Sequence, residues 1–275
     1  MKFRYKILNA DNEPLAAASG ENELYMVYNG EYKAGDRIIL EAEKNHFAVV
    51  QLDDAMGEEL IFLKEGSISY EIPFDEKRVC YSPKCFLGER HLLTVRDATG
   101  EEISAYRNLA RNRYDQHGDT GCYPHAAANV ETRGEAVFAA RNAIDGIKAN
   151  DCHGEWPYGS WGINRNPEAV IRVDFGRQVL ADKLVIYLRA DFPHDNWWKQ
   201  ITVRFSDGTV MSRPLIKTGR AQTIELEEKR IEWIQLEQLI QSEDDPSPFP
   251  ALTQLEVYGR ESSAWQTWTG EEELL

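Results

Sequence analysis

The residues best suited to ligand chemistry are aromatic and occupy two segments in the second half of the chain. Two of them precede the apolar segment "VIRVDFG", and a tryptophan pair follows "KLVIYLRAD". An aromatic plane packs well against the C–H face of a sugar ring, while neighbouring polar side chains can bind hydroxyl groups. The predicted ligand site has Trp156, Tyr158, Trp197 and Trp198 as stacking platforms and Arg189, Asp191 and His194 as hydroxyl partners.

Strands are expected to position these loops. Ile171, Val173 and Phe175 alternate with polar residues, which predicts a strand with one buried face. "KLVIYL" is apolar on both faces, as in a central strand. "QITVRFSDG", "QTIELE", "RIEWIQLEQL" and "LTQLEVYG" complete at least six predicted strands.

The first half has its own pattern of short strands. "ELYMVYNGEY" alternates and then meets an Asn29-Gly30 turn, a strong hairpin signal. "AGDRIILEAE", "HFAVVQLD", "ELIFLKEG" and "SISYEIPF" follow at intervals of about ten residues, which is typical of a β-sandwich or barrel.

The chain is predicted to be all-β, with two β-sandwich domains. The polar, glycine-containing stretch after residue 100 indicates an irregular connector. A short helix is predicted for "GEAVFAARNAIDG", where apolar residues have helical spacing. The predicted divisions are an N-terminal sandwich (1–100), the connector (101–124), a second sandwich (125–260) and a C-terminal tail (261–275).

Residues of about 125–260 resemble a known family. An "A-x-DG" turn (Ala143, Asp145, Gly146) precedes a tryptophan-bearing loop, a strand ending "VDFG" and a "DKLVI" strand. In this order they resemble the discoidin-type domains of coagulation factors and the family 32 carbohydrate-binding modules. The resemblance implies a galactose-binding-like jelly roll whose rim loops bind carbohydrate without catalysis. By that resemblance the aromatic loops are the expected ligand site.

The same resemblance implies a structural calcium ion. Many members of the family hold Ca²⁺ near the "A-x-DG" turn with the Asp and a Glu from the last strand, which match Asp145 and Glu256. Oxygen ligands suit Ca²⁺. This sequence inserts "IKANDCHGE" before Trp156, which departs from the compact turn of the family.

Three alternatives remain open from the sequence. A hydrolase would use Asp191 with Asp151 or Glu155 as its acid and base. A protein-interaction adaptor would dock a partner on the rim or on the N-terminal sandwich. A zinc site would draw on side chains such as Cys122 and His125, although the adjacent Cys152 and His153 rarely both reach one ion.

Composition excludes some partners. The chain has 31 Lys and Arg residues against 46 Asp and Glu residues, a formal net charge of −15. Clustered positive charge attracts phosphate groups, so neither nucleic acid nor an anionic membrane surface is expected as a partner. The N-terminus lacks a continuous apolar run, and four unevenly spaced cysteines suggest no disulfide framework, so a cytoplasmic location is expected.

Overall fold

Short alternating segments form antiparallel sheets in the computed structural model, which describes residues 1–118, 121–150, 154–190 and 196–262. The described residues contain three sheets, and every strand pairing is antiparallel. The strands are β1 (Lys2–Leu8), β2 (Pro14–Glu21), β3 (Glu23–Asn29), β4 (Arg37–Glu41), β5 (His46–Gln51), β6 (Glu59–Leu63), β7 (Ser67–Glu71), β8 (Arg90–Asp97), β9 (Arg107–Asn108), β10 (Cys122–Tyr123), β11 (His125–Ala128), β12 (Trp161–Gly162), β13 (Ile171–Leu188), β14 (Trp198–Phe205), β15 (Val210–Pro214), β16 (Gln222–Gln241) and β17 (Ala251–Glu261).

Two sheets enclose the first hydrophobic core. One has the strand order β2-β1-β4-β7 and the other β10-β6-β5-β8-β3. Phe3, Tyr5 and Ile7 alternate along β1 with more exposed residues and are fully buried. They pack in a cluster that also contains Leu40 and Leu93. The period-two pattern of this half therefore directs one face of each strand into a shared core.

An eight-stranded sheet encloses the second core. Its order is β12-β17-β13-β16-β14-β15, with β11 paired to β13 and β9 paired to β17. The register of β13 against β16 shifts between Asp174 and Val179. Gly176 lies within this shift at φ 72°, and a Cβ there would overlap the Tyr123 ring. The resulting bend lets β13 pair with β11 before it and with β17 after it.

The two cores share chain segments. Val137 and Phe138 belong to the first cluster, whereas Ala140 and Ile144 belong to the second. Strand β10, from the predicted connector, pairs with β6 of the N-terminal half. An α-helix, α1 (Gly100–Ser104), occupies the start of that connector. The all-β fold class is confirmed, while the predicted domain boundaries stay a prediction.

The helix predicted for residues 134–146 is wrong. Three short 3₁₀ segments, Thr132–Gly134, Ala136–Phe138 and Ala140–Ile144, cover this part of the chain instead. Ala139 interrupts them with extended backbone angles, φ −72° and ψ 150°. The Asn142 side chain donates a hydrogen bond to the Ala136 carbonyl at 2.8 Å, which stabilises this folded-back path. Tertiary contacts therefore override the helical spacing.

Two buried charged groups connect distant segments. The Arg141 guanidinium donates hydrogen bonds to the carbonyls of Asp115 and Arg113 at 2.8 and 3.2 Å. At the end of β17, the buried Glu261 carboxylate accepts from Arg177 at 2.6 and 2.8 Å and from Arg107 at 2.6 Å. Because each charge is paired or hydrogen-bonded, its burial is tolerated.

No helix in the described part of the chain is long and apolar enough to cross a membrane.

Candidate functional site

Three chain segments meet at one end of the eight-stranded sheet. β12 ends beside the start of β17, where Gly162 is opposite Ala251. β13 ends at the same level, since Leu188 is opposite Leu252. The backbone N–H of Arg189 donates to the Ala251 carbonyl at 2.9 Å, which fixes the exit of β13 against the entry of β17. The loops at these strand ends therefore form a common rim.

A cavity of about 130 Å³ opens on this rim. We call it the rim pocket. It is lined by Thr132, Arg133, Phe138, Gly162, Ile163, Asn164, Arg165, Arg189, Pro248, Phe249, Pro250 and Ala251.

Two guanidinium groups in the rim pocket lie against aromatic rings. The guanidinium carbon of Arg165 is 4.5 Å from the centroid of the Phe249 ring. That of Arg189 is 5.8 Å from the Phe138 ring centroid, and one of its terminal nitrogens donates to the Phe249 carbonyl at 3.0 Å. Cation–π contacts of this kind restrain the orientation of the guanidinium planes.

A tight loop that contains Asn164 and Arg165 forms the polar end of the rim pocket. Asn164 and Arg165 both have positive φ, 48° and 60°, and both are exposed. The Thr132 hydroxyl accepts a hydrogen bond from the Asn164 backbone N–H at 3.0 Å. Gly162 makes this approach feasible, since a Cβ there would lie 2.5 Å from the Thr132 hydroxyl oxygen. The Thr132 hydroxyl thus holds the loop through the Asn164 backbone, without using the two exposed side chains.

The lining of the rim pocket is positive although the chain as a whole is acidic. Three arginines contribute to it, and none of the described lining residues is Asp or Glu. Arg133 pairs with Glu135, with one terminal nitrogen 2.8 Å from Oε2. For Arg165, no carboxylate of the described residues lies within ion-pair distance. The Arg165 guanidinium is therefore available for an external hydrogen-bond acceptor.

The tryptophan pair divides between core and surface. Trp198 is fully buried, and its ring centroid is 6.1 Å from that of buried Trp161, so its predicted role as a stacking platform is wrong. The alternating direction of strand side chains explains this, because Trp198 begins β14 and its ring faces the core. Trp197 is half-buried, with the Lys217 ammonium 5.5 Å above its ring.

The other predicted residues are dispersed. Trp156 is 39% exposed, and its backbone N–H donates to the Val79 carbonyl at 2.8 Å. It lines a separate cavity of about 210 Å³ beside Cys80 and Cys85, away from the rim pocket residues. Tyr158 is half-buried and lines neither cavity.

Arg189 is therefore the predicted ligand residue that the structure places in the rim pocket. Asp191 and His194 lie outside the described residues.

Phe249, Arg165 and Asn164 were missed by sequence reasoning. Phe249 lies in the run "PSPFPA" directly before β17, where flanking prolines restrict the backbone. This run was the signal that the sequence offered, because a residue just before a strand lies at the edge of the sheet and therefore in the rim. Arg165 and Asn164 had no comparable signal, since their position depends on the pairing of the two-residue strand β12.

The residues predicted to bind calcium are buried and engaged in other contacts. Asp145 accepts hydrogen bonds from the Ile147 backbone and the Gln254 amide, both at 2.8 Å, and burial raises its carboxyl pKa to about 6. Glu256 forms an ion pair with the Lys148 ammonium at 2.6 Å. Ca²⁺ needs six to eight oxygen ligands, and the described residues contain no group of three or more His, Cys, Asp or Glu suited to a metal ion. These contacts already occupy both carboxylates, and calcium binding stays a prediction.

The zinc alternative also gains no support from the described residues. The Asn112 side chain donates to the Cys122 sulfur at 3.3 Å, and His125 Nδ1 lies 2.6 Å from the Asp115 carboxylate. Cys152 and His153 lie outside the described residues.

No protein-family model matches the chain, and no curated protein matches it. Solved carbohydrate-binding modules resemble about half of it. The family 32 module of Clostridium perfringens NanJ, in complex with galactose, is 18% identical over 48% of this chain and 91% of its own, with a TM-score of 0.38. The Streptococcus pneumoniae fucose-binding module SpX-3 is 15% identical over 56% and 98%, with a TM-score of 0.38.

A mutant lectin-binding domain of lectinolysin, complexed with Lewis b, is 17% identical over 58% of this chain and 99% of its own, with a TM-score of 0.42. These structures belong to the group that the sequence motifs resemble. Likenesses at this level provide no residue-by-residue correspondence, and their ligands are properties of those proteins.

Proposed function

We propose that this protein binds carbohydrate without catalysing its conversion, and that the rim pocket is the binding site. One observation carries the proposal: the Phe249 ring and the Arg165 and Arg189 guanidiniums converge on one cavity at the strand ends. A sugar presents an apolar C–H face together with hydroxyl groups. The pocket offers an aromatic ring for the first and fixed donors for the second.

The size of the pocket supports recognition of a small part of a ligand. Its volume of about 130 Å³ is well below the roughly 300–1,000 Å³ of pockets that enclose drug-sized molecules. The pocket therefore suits one end of an oligosaccharide, with the remainder outside.

The polar groups of the pocket favour binding over hydrolysis. Glycoside hydrolysis ordinarily needs two carboxyl groups across the scissile bond, and the described lining residues provide none. Of the carboxylates considered from the sequence, Glu155 is exposed and outside this lining, while Asp151 and Asp191 lie beyond the described residues.

A glycan array followed by calorimetric titration tests the proposal. We expect the parent protein to bind at least one glycan and Phe249→Ala to weaken that binding about tenfold or more, because the stacking surface is removed. Tyr25→Ala is a matched control, since Tyr25 is an exposed aromatic residue (64%) on β3 of the N-terminal half. A parent protein that binds no glycan would refute the function. Unchanged binding by Phe249→Ala would place the site elsewhere.

A further inference from the structure

We propose that the rim pocket selects a sugar that carries a carboxylate, as a uronic acid does, and that Arg165 is its anion-binding group. This inference rests on the proposed carbohydrate binding and specifies the class of sugar.

The first support is the balance of charge around the cavity. Arg133, Arg165 and Arg189 contribute guanidiniums, and the described lining residues contribute no carboxylate. A sugar hydroxyl can either donate or accept a hydrogen bond, whereas an ionised carboxylate only accepts. Guanidiniums only donate. The exposed Arg165 guanidinium therefore suits a ligand group that only accepts, which is a property of an ionised carboxylate.

The second support distinguishes Arg165 from its neighbours. Arg133 already has a carboxylate partner in Glu135, and Arg189 is buried and donates to the Phe249 carbonyl. Arg165 is exposed and held against the Phe249 ring. Its planar fork can bind both oxygens of a carboxylate in parallel, while Phe249 contacts the adjoining sugar ring. One acidic monosaccharide could thus use both groups.

The third support concerns which anion reaches this pocket. With a net charge of −15, the protein repels extended polyanions such as nucleic acid at long range. A single compact anionic group carries less charge, so it meets less of this repulsion and can bind Arg165 by direct contact. A carboxylate on a sugar ring matches that description.

The test compares acidic and neutral sugars of the same ring geometry. Methyl glucuronide and methyl glucoside, and likewise methyl galacturonide and methyl galactoside, are titrated separately into the 275-residue chain at constant ionic strength. We expect at least one acid to bind about tenfold or more tightly than its neutral partner, as one charge-assisted contact allows. Methyl 6-O-sulfogalactoside is titrated in the same way, to test whether a sulfate ester binds in place of a carboxylate.

Substitution of Arg165 identifies the group responsible. We expect Arg165→Gln to bring the acid-to-neutral affinity ratio close to one, whereas Arg4→Gln, at an exposed position on β1 of the N-terminal half, leaves it unchanged. Because Arg165 is exposed, thermal unfolding should be the same in both variants.

The outcomes separate this inference from the proposed function. Equal affinity for acidic and neutral sugars, or preference for the sulfate ester alone, overturns the inference and leaves carbohydrate binding standing. An acid preference that survives in Arg165→Gln overturns the role of Arg165. If no sugar of any kind binds here or on the glycan array, the proposed function fails as well.

Discussion

At the scale of single residues, two adjacent tryptophans have opposite environments. Trp198 is fully buried in the second core, and Trp197 is half-buried beside Lys217. Removal of a large buried side chain costs both its transfer free energy and the cavity that it leaves. The same substitution at the two positions should therefore have unequal effects on stability.

We expect Trp198→Ala to lower the free energy of unfolding by about 3–5 kcal/mol, and Trp197→Ala to lower it by about 1–2 kcal/mol. Urea denaturation followed by circular dichroism measures both. Equal losses in the two variants would contradict the placement of Trp198 in the core.

Sequence reasoning predicted that aromatic and polar loops surround one end of a β-sandwich, and Arg189, one of its predicted ligand residues, lines the rim pocket. It could not tell which of two adjacent tryptophans faces inward, because the register of β14 decides that. It also chose the tryptophans over Phe249, although Phe249 is the aromatic residue beside Arg165 in the pocket. Loop side chains carry no periodic signal, so their positions depend on strand pairings that are distant in sequence.

At the scale of elements, strands were predicted better than helices. "VIRVDFG" and "KLVIYL" both lie in strands, but they form one continuous strand, β13, through the bend at Gly176. "QTIELE" and "RIEWIQLEQL" likewise join as β16. Alternating apolar and polar residues identify each strand segment locally. Whether two segments join in one continuous strand depends on how they pair within the folded sheet. The helix predicted wrongly for residues 134–146 has the same cause, because local spacing does not report tertiary contacts.

Helix α1 provides a pH-dependent prediction. Thr99 and Glu102 form a capping box at its start, and Glu102 also pairs with Arg96 at 2.6 and 2.8 Å. The hydrogen bonds from Arg96 hold the Glu102 pKa down to about 2, from an ordinary value of 4.5. A depressed carboxyl pKa stabilises the fold above the ordinary value, and this contribution is lost as the pH falls toward 2.

We expect Glu102→Gln to be less stable than the parent at pH 7, by up to about 1 kcal/mol, since the pair is partly exposed to solvent, which screens it. The difference should shrink between pH 4.5 and pH 2. Urea midpoints at pH 7, 4 and 3 measure this, with Thr99→Ser as a control that keeps the capping hydroxyl. If the stability loss of Glu102→Gln is the same at every pH, the ionised Glu102–Arg96 pair is not its cause.

At the scale of the whole molecule, residues 136–144 serve both hydrophobic cores. Phe138 packs in the first core and also forms a wall of the rim pocket. Arg141 lies in the same segment, 4.6 Å above the Tyr81 ring and hydrogen-bonded to the backbone of Arg113 and Asp115. The shape of the pocket therefore depends on packing in the N-terminal half.

We expect Arg141→Met to lower the free energy of unfolding by about 3 kcal/mol or more, because it leaves buried carbonyl groups without donors. Thermal and urea unfolding measure the change, and Arg4→Met provides a matched control at an exposed position on β1. A loss below about 0.5 kcal/mol, the range of ordinary surface substitutions, would show that Arg141 does not stabilise this junction.

The ion cluster at the end of β17 determines where the chain can be trimmed. Arg177, which contacts the rings of Phe47 and Phe62 from the N-terminal half, shares the Glu261 carboxylate with Arg107. A protease cut or a fusion junction placed before Glu261 would leave Arg107 and Arg177 without their shared carboxylate. The contact between the two halves of the chain would then be weaker. Shortened versions intended for crystallisation or for tagging should therefore retain Glu261.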